Sequence, residues 1–361
     1  YNAPFTITGS TNDYGVGVST VWVSVQQLSS GCYNGSDFVG GCPLYFPAGG
    51  TPAVWTVFMG FNPGKQYLIL ARASDTAANV QDVFNVGVSS VMFIYDTTAP
   101  TVWVSTPADG RIKDLKDGGG TYSVIKGTAA DAGLGQLAGV KVRILQKEGA
   151  AYYYMRPETR VFDLTYPGEA ESAWFTATPD PDWLSFKVSS DIPFISGNEY
   201  WIIARALDKG GSYSAVYSTR NVIYDNTAPV STITWPADGA GVFVSSLPVI
   251  MGAMADKTLN GYNASTTIVS ARVQLRDKDG RYWNHGNQLW QASPYVIYST
   301  NTQFTAWASS FAVTTNLPVA PTNLADGTSY YVTASVTDDA NAGGNSSVFY
   351  TQVSTFSVDY S

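Results

Sequence analysis

The segment Tyr95–Pro100 reads YDTTAP, and it returns at Tyr224–Pro229 as YDNTAP. Each copy is followed by PADG, at 107–110 and 236–239. A chain that repeats itself in this way is built from successive copies of one supersecondary unit, which constrains the fold more than composition does. Two more signatures recur in the same order. The first is an apolar residue, a spacer, a glycine and then an aspartate four residues on: Ile7-Gly9-Asp13, Ile125-Gly127-Asp131 and Ile250-Gly252-Asp256. The second sets tyrosine, alanine and aspartate four residues apart: Tyr67-Ala71-Asp75, Tyr200-Ala204-Asp208 and Tyr330-Ala334-Asp338. The repeats divide the chain at 1–98, 99–227 and 228–361, and VDYS at 358–361 begins another copy of the linker.

Within each repeat the apolar residues alternate. VWVSV (21–25), VKVRI (140–144) and ARVQL (271–275) have the period of a half-buried strand. The chain holds 34 Gly and 18 Pro, so it turns often. No stretch carries apolar residues at helical spacing for three turns, and none is long and apolar enough to cross a membrane as a helix. A soluble, all-β protein is expected. TVWVSTP and STITWP read as strand A of a sandwich and the Ile-x-Gly segments as strand B. The alternating segments read as strand C, the Tyr…Asp segments as F, and the runs ending at Tyr95, Tyr224 and Val358 as G. Trp55, Trp183 and Trp307 are expected to fill cores. Asp13 stands too near residue 1 for the linker and strand A that precede Asp131 and Asp256, so the first repeat is expected to lack its N-terminal strand.

The linker YDTTAP, the turn GTAAD (127–131) and the strand YWIIARALD (200–208) resemble bacterial immunoglobulin-like repeats of large surface proteins and adhesins. CYNGSDF (32–38) and RYWNHGNQLW (281–290) fit an aromatic-Asn hairpin that follows strand C in some of these; AYYYMRPET (151–159) departs from it. The resemblance implies three tandem immunoglobulin-like β-sandwich domains at the cell surface or outside the cell. Their role is a structural stalk or filament built from this chain itself or from repeats of a longer one. The alternative is an adhesin holding a glycan or protein on exposed aromatics such as Tyr152, Tyr153 and Tyr154.

Charge and chemistry narrow the role. Twenty Lys and Arg face 28 Asp and Glu, a formal charge of −8 that repels nucleic acid and anionic membranes. The one histidine, His285, falls in the hairpin and is read as a solvent-facing loop residue; no nucleophile elbow, phosphate loop or metalloprotease motif occurs. The nearest carboxylate pair, Asp180 and Asp182, reads as a turn, so no catalytic residue is expected. Cys32 and Cys42 share one loop and are expected to pair, which places the chain in an oxidising compartment.

Two sets of residues are candidate sites. In a sandwich the entering linker, the BC loop and the FG loop share one pole. Asp96, Asp131 and Asp208 should therefore converge in the second repeat and Asp225, Asp256 and Asp338 in the third, with Asp13 and Asp75 an incomplete set. Converging carboxylates repel unless a cation offsets them, and calcium is the candidate. The second set follows from strand alternation. With Val21, Val23, Val25, Tyr67, Ile69, Val91, Phe93 and Tyr95 inward, the residues Trp22, Leu68, Leu70, Met92 and Ile94 face outward as an apolar patch, an expected interface. Trp201 and Ile203 form a weaker counterpart in the second repeat, and the third is polar there.

Overall fold

A computed structural model describes residues 3, 5–39, 41–113, 123–132, 136–239, 241–256, 268–300, 308–340, 343–350 and 353–360. All regular structure among them is β. The sheets fall into three successive pairs, each around its own buried cluster. In the second pair, Thr101–Thr106, Ser123–Ala130, Ser185–Ser190 and Thr178–Pro179 make one sheet. Gly110–Ile112, Ser218–Tyr224, Glu199–Asp208 and Leu137–Glu148 run side by side in the other, which continues into the Ala151–Met155 and Phe162–Thr165 hairpin. The third pair repeats the plan with Val230–Trp235, Ile250–Ala255 and Ala308–Val313 facing Phe243–Val244, Val353–Val358, Ser329–Asp338 and Ile268–Asp277. Strand C alternation places the core as expected: Val21, Val23 and Val25, and likewise Val140, Val142 and Ile144, are buried.

The repeated signatures have physical causes. In strand B the glycine lies under an aromatic ring of the next strand. A Cβ at Gly127 would stand 2.3 Å from the Phe186 ring and one at Gly252 2.2 Å from Phe311. At Gly9 it would stand 2.1 Å from Trp55. A side chain at any of these positions would force the ring or the strand to shift, which a packed sheet resists, so the position favours glycine. The tyrosine of strand F is a corner: its hydroxyl accepts a backbone N–H from five residues upstream. The donors are Asn62 to Tyr67 (2.7 Å), Ile195 to Tyr200 (2.8 Å) and Ala325 to Tyr330 (2.8 Å). Burial pushes the Tyr200 hydroxyl up to about 12, so it stays neutral in this role.

The first pair differs at its edges. Thr6–Gly9, Val54–Phe58 and Gly49–Thr51 form one sheet; Gly31–Cys32, Val18–Gln27, Lys65–Asp75 and Ser90–Tyr95 form the other. Among the described residues no strand takes the place of Thr101–Thr106. This corrects one expectation. Phe93 and Tyr95 are buried, but Val91, placed inward by alternation, is 41% exposed, with no strand among the described residues covering it. Trp55 is a core residue and Trp183 packs half-buried on the second core, while Trp307 lies outside the described residues. Cys32 and Cys42 are joined, with Cα atoms 5.3 Å apart, which ties down the loop after strand C.

Candidate metal centre

Asp225 follows strand G of the second pair, Asp256 ends strand B of the third and Asp338 ends strand F. The three are all buried, and one carboxylate oxygen from each lies within 4.8 Å of the others. Asp225 Oδ1 accepts from Thr227 N (3.1 Å) and Thr227 Oγ1 (3.0 Å), while its Oδ2 is buried with no hydrogen-bond partner. Burial foremost, and the Asp338 charge after it, raise the Asp225 carboxyl above its ordinary value against the Thr227 bonds.

Asp338 is the most firmly held. Its carboxylate accepts from Ala340 N (3.0 Å), Asn345 N (2.7 Å) and Asn345 Nδ2 (3.0 Å). Asn345 Nδ2 also donates to the Asp225 backbone oxygen at 2.9 Å, so one side chain joins the FG loop to the linker. The preceding pair reaches the same loop. Arg111 Nη1 meets both carboxylate oxygens of Asp339 at 2.6 Å, and Lys113 donates to the Gly344 backbone oxygen. Gly344, at φ +73°, is where this loop doubles back; a Cβ there would stand 2.2 Å from the Asp338 backbone oxygen.

The donor set is hard oxygen throughout, which suits calcium or magnesium and not a soft metal. Calcium–oxygen bonds of about 2.3–2.6 Å put opposite ligands about 5 Å apart, so a span of 4.8 Å fits around one calcium ion. With its partnerless buried oxygen, the Asp225–Asp256–Asp338 set fits that group.

Asp96, Asp131 and Asp208 approach one another more loosely. Burial and then the charges of Asp96 and Asp208 raise the Asp131 carboxyl, so the three do interact. They do not form as tight a group among the described residues. Asp208 Oδ1 accepts from Ser212 N (2.8 Å) and Asp96 Oδ1 from Thr98 N (2.9 Å). Asp13 and Asp75 turn back on their own loops, to Gly15 and Gly17 and to Asn79.

The outward patch lies on three neighbouring strands: Leu68 is opposite both Gln26 and Met92, Leu70 opposite Ser24, Trp22 opposite Arg72, and Ile94 opposite Gln66. Met92 is 55% exposed, and Trp22, Leu68, Leu70 and Ile94 are half-buried. The second pair covers its equivalent face with its own chain. Trp174 lies between Arg143 (4.4 Å) and Arg205 (4.2 Å), and Glu171 accepts from both Trp174 Nε1 and Arg205 Nη2. Tyr152 packs on Tyr166 and Trp201, and Tyr154 is buried, so this hairpin is partly a covering element. In the third pair Thr333, at the position of Leu70, is buried and its Oγ1 accepts from Tyr350 N (2.7 Å). His285, expected to face solvent, is half-buried with its ring against Tyr295. Asp182 accepts from Leu184 N, and Asp180 N bonds the Asp182 backbone oxygen, closing the expected turn.

Comparison with protein families and with curated proteins returns no match. Among solved structures, a tetra-tandem repeat from the extending region of a large adhesion protein is 15% identical, with a TM-score of 0.31 over 99% of this chain and 71% of that one. Fibronectin(III)-like modules of Clostridium thermocellum CbhA are 11% identical, at 0.25 over 72% and 95%. A Ca2+-stabilized adhesin that helps an Antarctic bacterium reach out and bind ice is 16% identical, at 0.27 over 98% and 68%. At such distance the likeness says nothing of the carboxylate cluster, whose chemistry is read from this chain's own residues.

Proposed function

We propose that the chain is a run of three immunoglobulin-like domains, 1–98, 99–227 and 228–361, in an extracellular structural repeat protein. The array forms a surface stalk or filament whose junctions are stiffened by calcium. The observation that carries this reading is the burial of Asp225, Asp256 and Asp338 around one point, with Asp225 Oδ2 left without a partner. Three buried carboxylates from a linker and two loops of the following domain repel as they stand. A divalent cation turns that repulsion into a clamp and fixes the angle at which one domain follows another. Arg111–Asp339 and Asn345 hold the same junction from its rim.

Lateral packing belongs to the same reading. Trp22, Leu68, Leu70, Met92 and Ile94 offer an apolar face at the place where the second domain spends Trp174 and two arginines on cover. Such a face favours association between arrays. Calorimetric titration of the full chain with calcium, together with small-angle scattering in calcium and in chelator, tests the clamp. Saturable binding, lost in Asp256→Asn, and a longer, stiffer particle in calcium are expected. Identical scattering profiles and no binding heat would sink it.

A further inference from the structure

The outer face of the third sheet pair carries two arginines that no carboxylate among the described residues meets. Ala271, Val273 and Leu275 point into the core, so Arg272, Gln274 and Arg276 share the opposite face of strand C. Residues opposite one another across a sheet stand on the same face. Arg272 therefore lies between Tyr298 and Ser335, and Arg276 between Tyr282 and Tyr331. The FG loop returns over them. The Arg276 guanidinium stands 5.7 Å from the centre of the Tyr331 ring and 5.5 Å from that of Tyr350, and the Arg272 guanidinium 5.8 Å from that of Phe349.

This cluster has an excess of hydrogen-bond donors. The Nε of both Arg272 and Arg276 is buried with no hydrogen-bond partner. Arg272 Nη2 donates to Ser335 Oγ (3.0 Å), an uncharged acceptor. The Tyr350 hydroxyl donates to Gln274 Oε1 (2.9 Å), so it accepts from the Tyr282 hydroxyl (3.0 Å). Burial foremost, and Tyr282 after it, push the Tyr350 hydroxyl up to about 12, which keeps it a neutral donor. Tyr350 takes this position at φ +75°, a left-handed backbone uncommon for a bulky side chain, and its N–H is held by Thr333 Oγ1. Strain of this kind collects at binding sites.

The second pair supplies carboxylates to the same face from its own chain. Arg205, at the position of Ser335, donates to Glu171, and Lys147 to Glu199. The third repeat, 228–361, has no glutamate. Its Asp277 and Asp279 are engaged by Arg281 and Lys278, its Asp339 by Arg111, and its Asp256 and Asp338 close the junction. No ion pair among the described residues reaches Arg272 or Arg276, in a chain whose formal charge is −8.

We infer that this face binds an acidic glycan, a chain of carboxylate-bearing sugars, with one carboxylate on Arg276 and another on Arg272. A planar guanidinium pairs with a carboxylate through two parallel hydrogen bonds. Strand C is paired on both sides here, so a peptide finds no free strand edge to extend. What the face offers instead is side-chain hydroxyls and the ring of Tyr298, 64% exposed, on which the apolar side of a sugar can lie. Four residues of extended strand set the two guanidiniums about 14 Å apart, a span that calls for an oligosaccharide. The inference is independent of the cation clamp, none of whose aspartates shares this face.

The test titrates the full chain calorimetrically with an α-1,4-linked hexagalacturonate, in chelator so that no calcium bridges protein and sugar. Saturable binding at one oligosaccharide per chain is expected, weakening as salt is raised. Arg276→Gln and Arg272→Gln should each weaken it at least about tenfold. Tyr298→Ala, which alters only an exposed ring, should weaken it several-fold and serves if an arginine variant melts early. The fully methyl-esterified hexamer, which lacks the charge, should not bind. Absence of binding, equal binding of the ester, or unchanged affinity in all three variants would overturn the inference. Tighter binding of hexaglutamate than of the sugar would overturn it in favour of an acidic polypeptide.

Discussion

The two carboxylate clusters are drawn from the same three positions of the repeat, yet only one closes tightly. At the third pair the FG loop from Asp338 to Asn345 is long enough for Asn345 to fold back on both Asp338 and the linker, and Arg111 and Lys113 press on it from the preceding pair. At the second pair the corresponding loop turns back at Ser212, and Lys209 bonds outward to Gln136. Nothing among the described residues of the first pair corresponds to Gly110–Ile112, the strand that carries Arg111. A shared set of aspartates is therefore not enough to close a cluster; loop length and the preceding repeat decide how close the oxygens come.

The largest expected effect separates the two loops. Asp338→Ala strips a buried acceptor from three N–H bonds and should cost the third pair about 3 kcal/mol in chelator. Asp208→Ala, with Ser212 N as the donor to its carboxylate, should cost the second about 1 kcal/mol. Urea titrations read by hydrogen exchange in each pair measure both, and equal costs would break the comparison. Calcium at a hundredfold its Kd should then stabilise the third pair by about 2.7 kcal/mol, and Asp256→Asn should abolish the gain. Should the second pair gain as much, the looser cluster binds as well as the tight one.

Smaller effects sharpen the contrast. Arg111→Ala is expected to lower the stability of the third pair by about 1 kcal/mol or less, since its pairing with Asp339 is partly solvent-screened. Melting in 1 M salt should shrink that difference. The smallest signal is in pH. Because the Asp225 carboxyl is raised, the folded chain holds this proton more tightly than the unfolded one. In metal-free protein its contribution to stability thus falls as pH rises from about 3.9, the unfolded value, through the raised folded value. Comparing the chain with Asp225→Asn isolates this slope. A slope of the opposite sign in chelator would mean that hydrogen bonds already neutralise the site.

Much of this frame is legible in the sequence because it depends on short spacings. The ring over Gly127 and the hydroxyl under the Ile195 N–H are both set within one repeat, so they surface as recurring glycine and tyrosine. The convergence of Asp225, Asp256 and Asp338 is legible by the same counting. Its tightness is not, because Asn345 and Arg111 act across the junction and no periodicity links them. The cover of Arg143 and Arg205 by Trp174 is likewise invisible: it joins strands to an irregular segment far along the chain. Val91 departs from its expected place for another reason. Alternation says which way a side chain points, and whether anything lies there depends on a neighbouring strand.

The parallel pairing of Gly110–Ile112 with Ser218–Tyr224 has a mechanical meaning. The first strand lies close behind the incoming linker and the second runs straight into the outgoing one. Tension applied through the two linkers pulls these strands in opposite directions along their length. Their hydrogen bonds are loaded together in shear and must fail together, whereas bonds peeled from one end fail singly. The third pair has the same arrangement in Phe243–Val244 and Val353–Val358, so in the proposed stalk a force along the chain would meet one such shear lock in each of these two repeats.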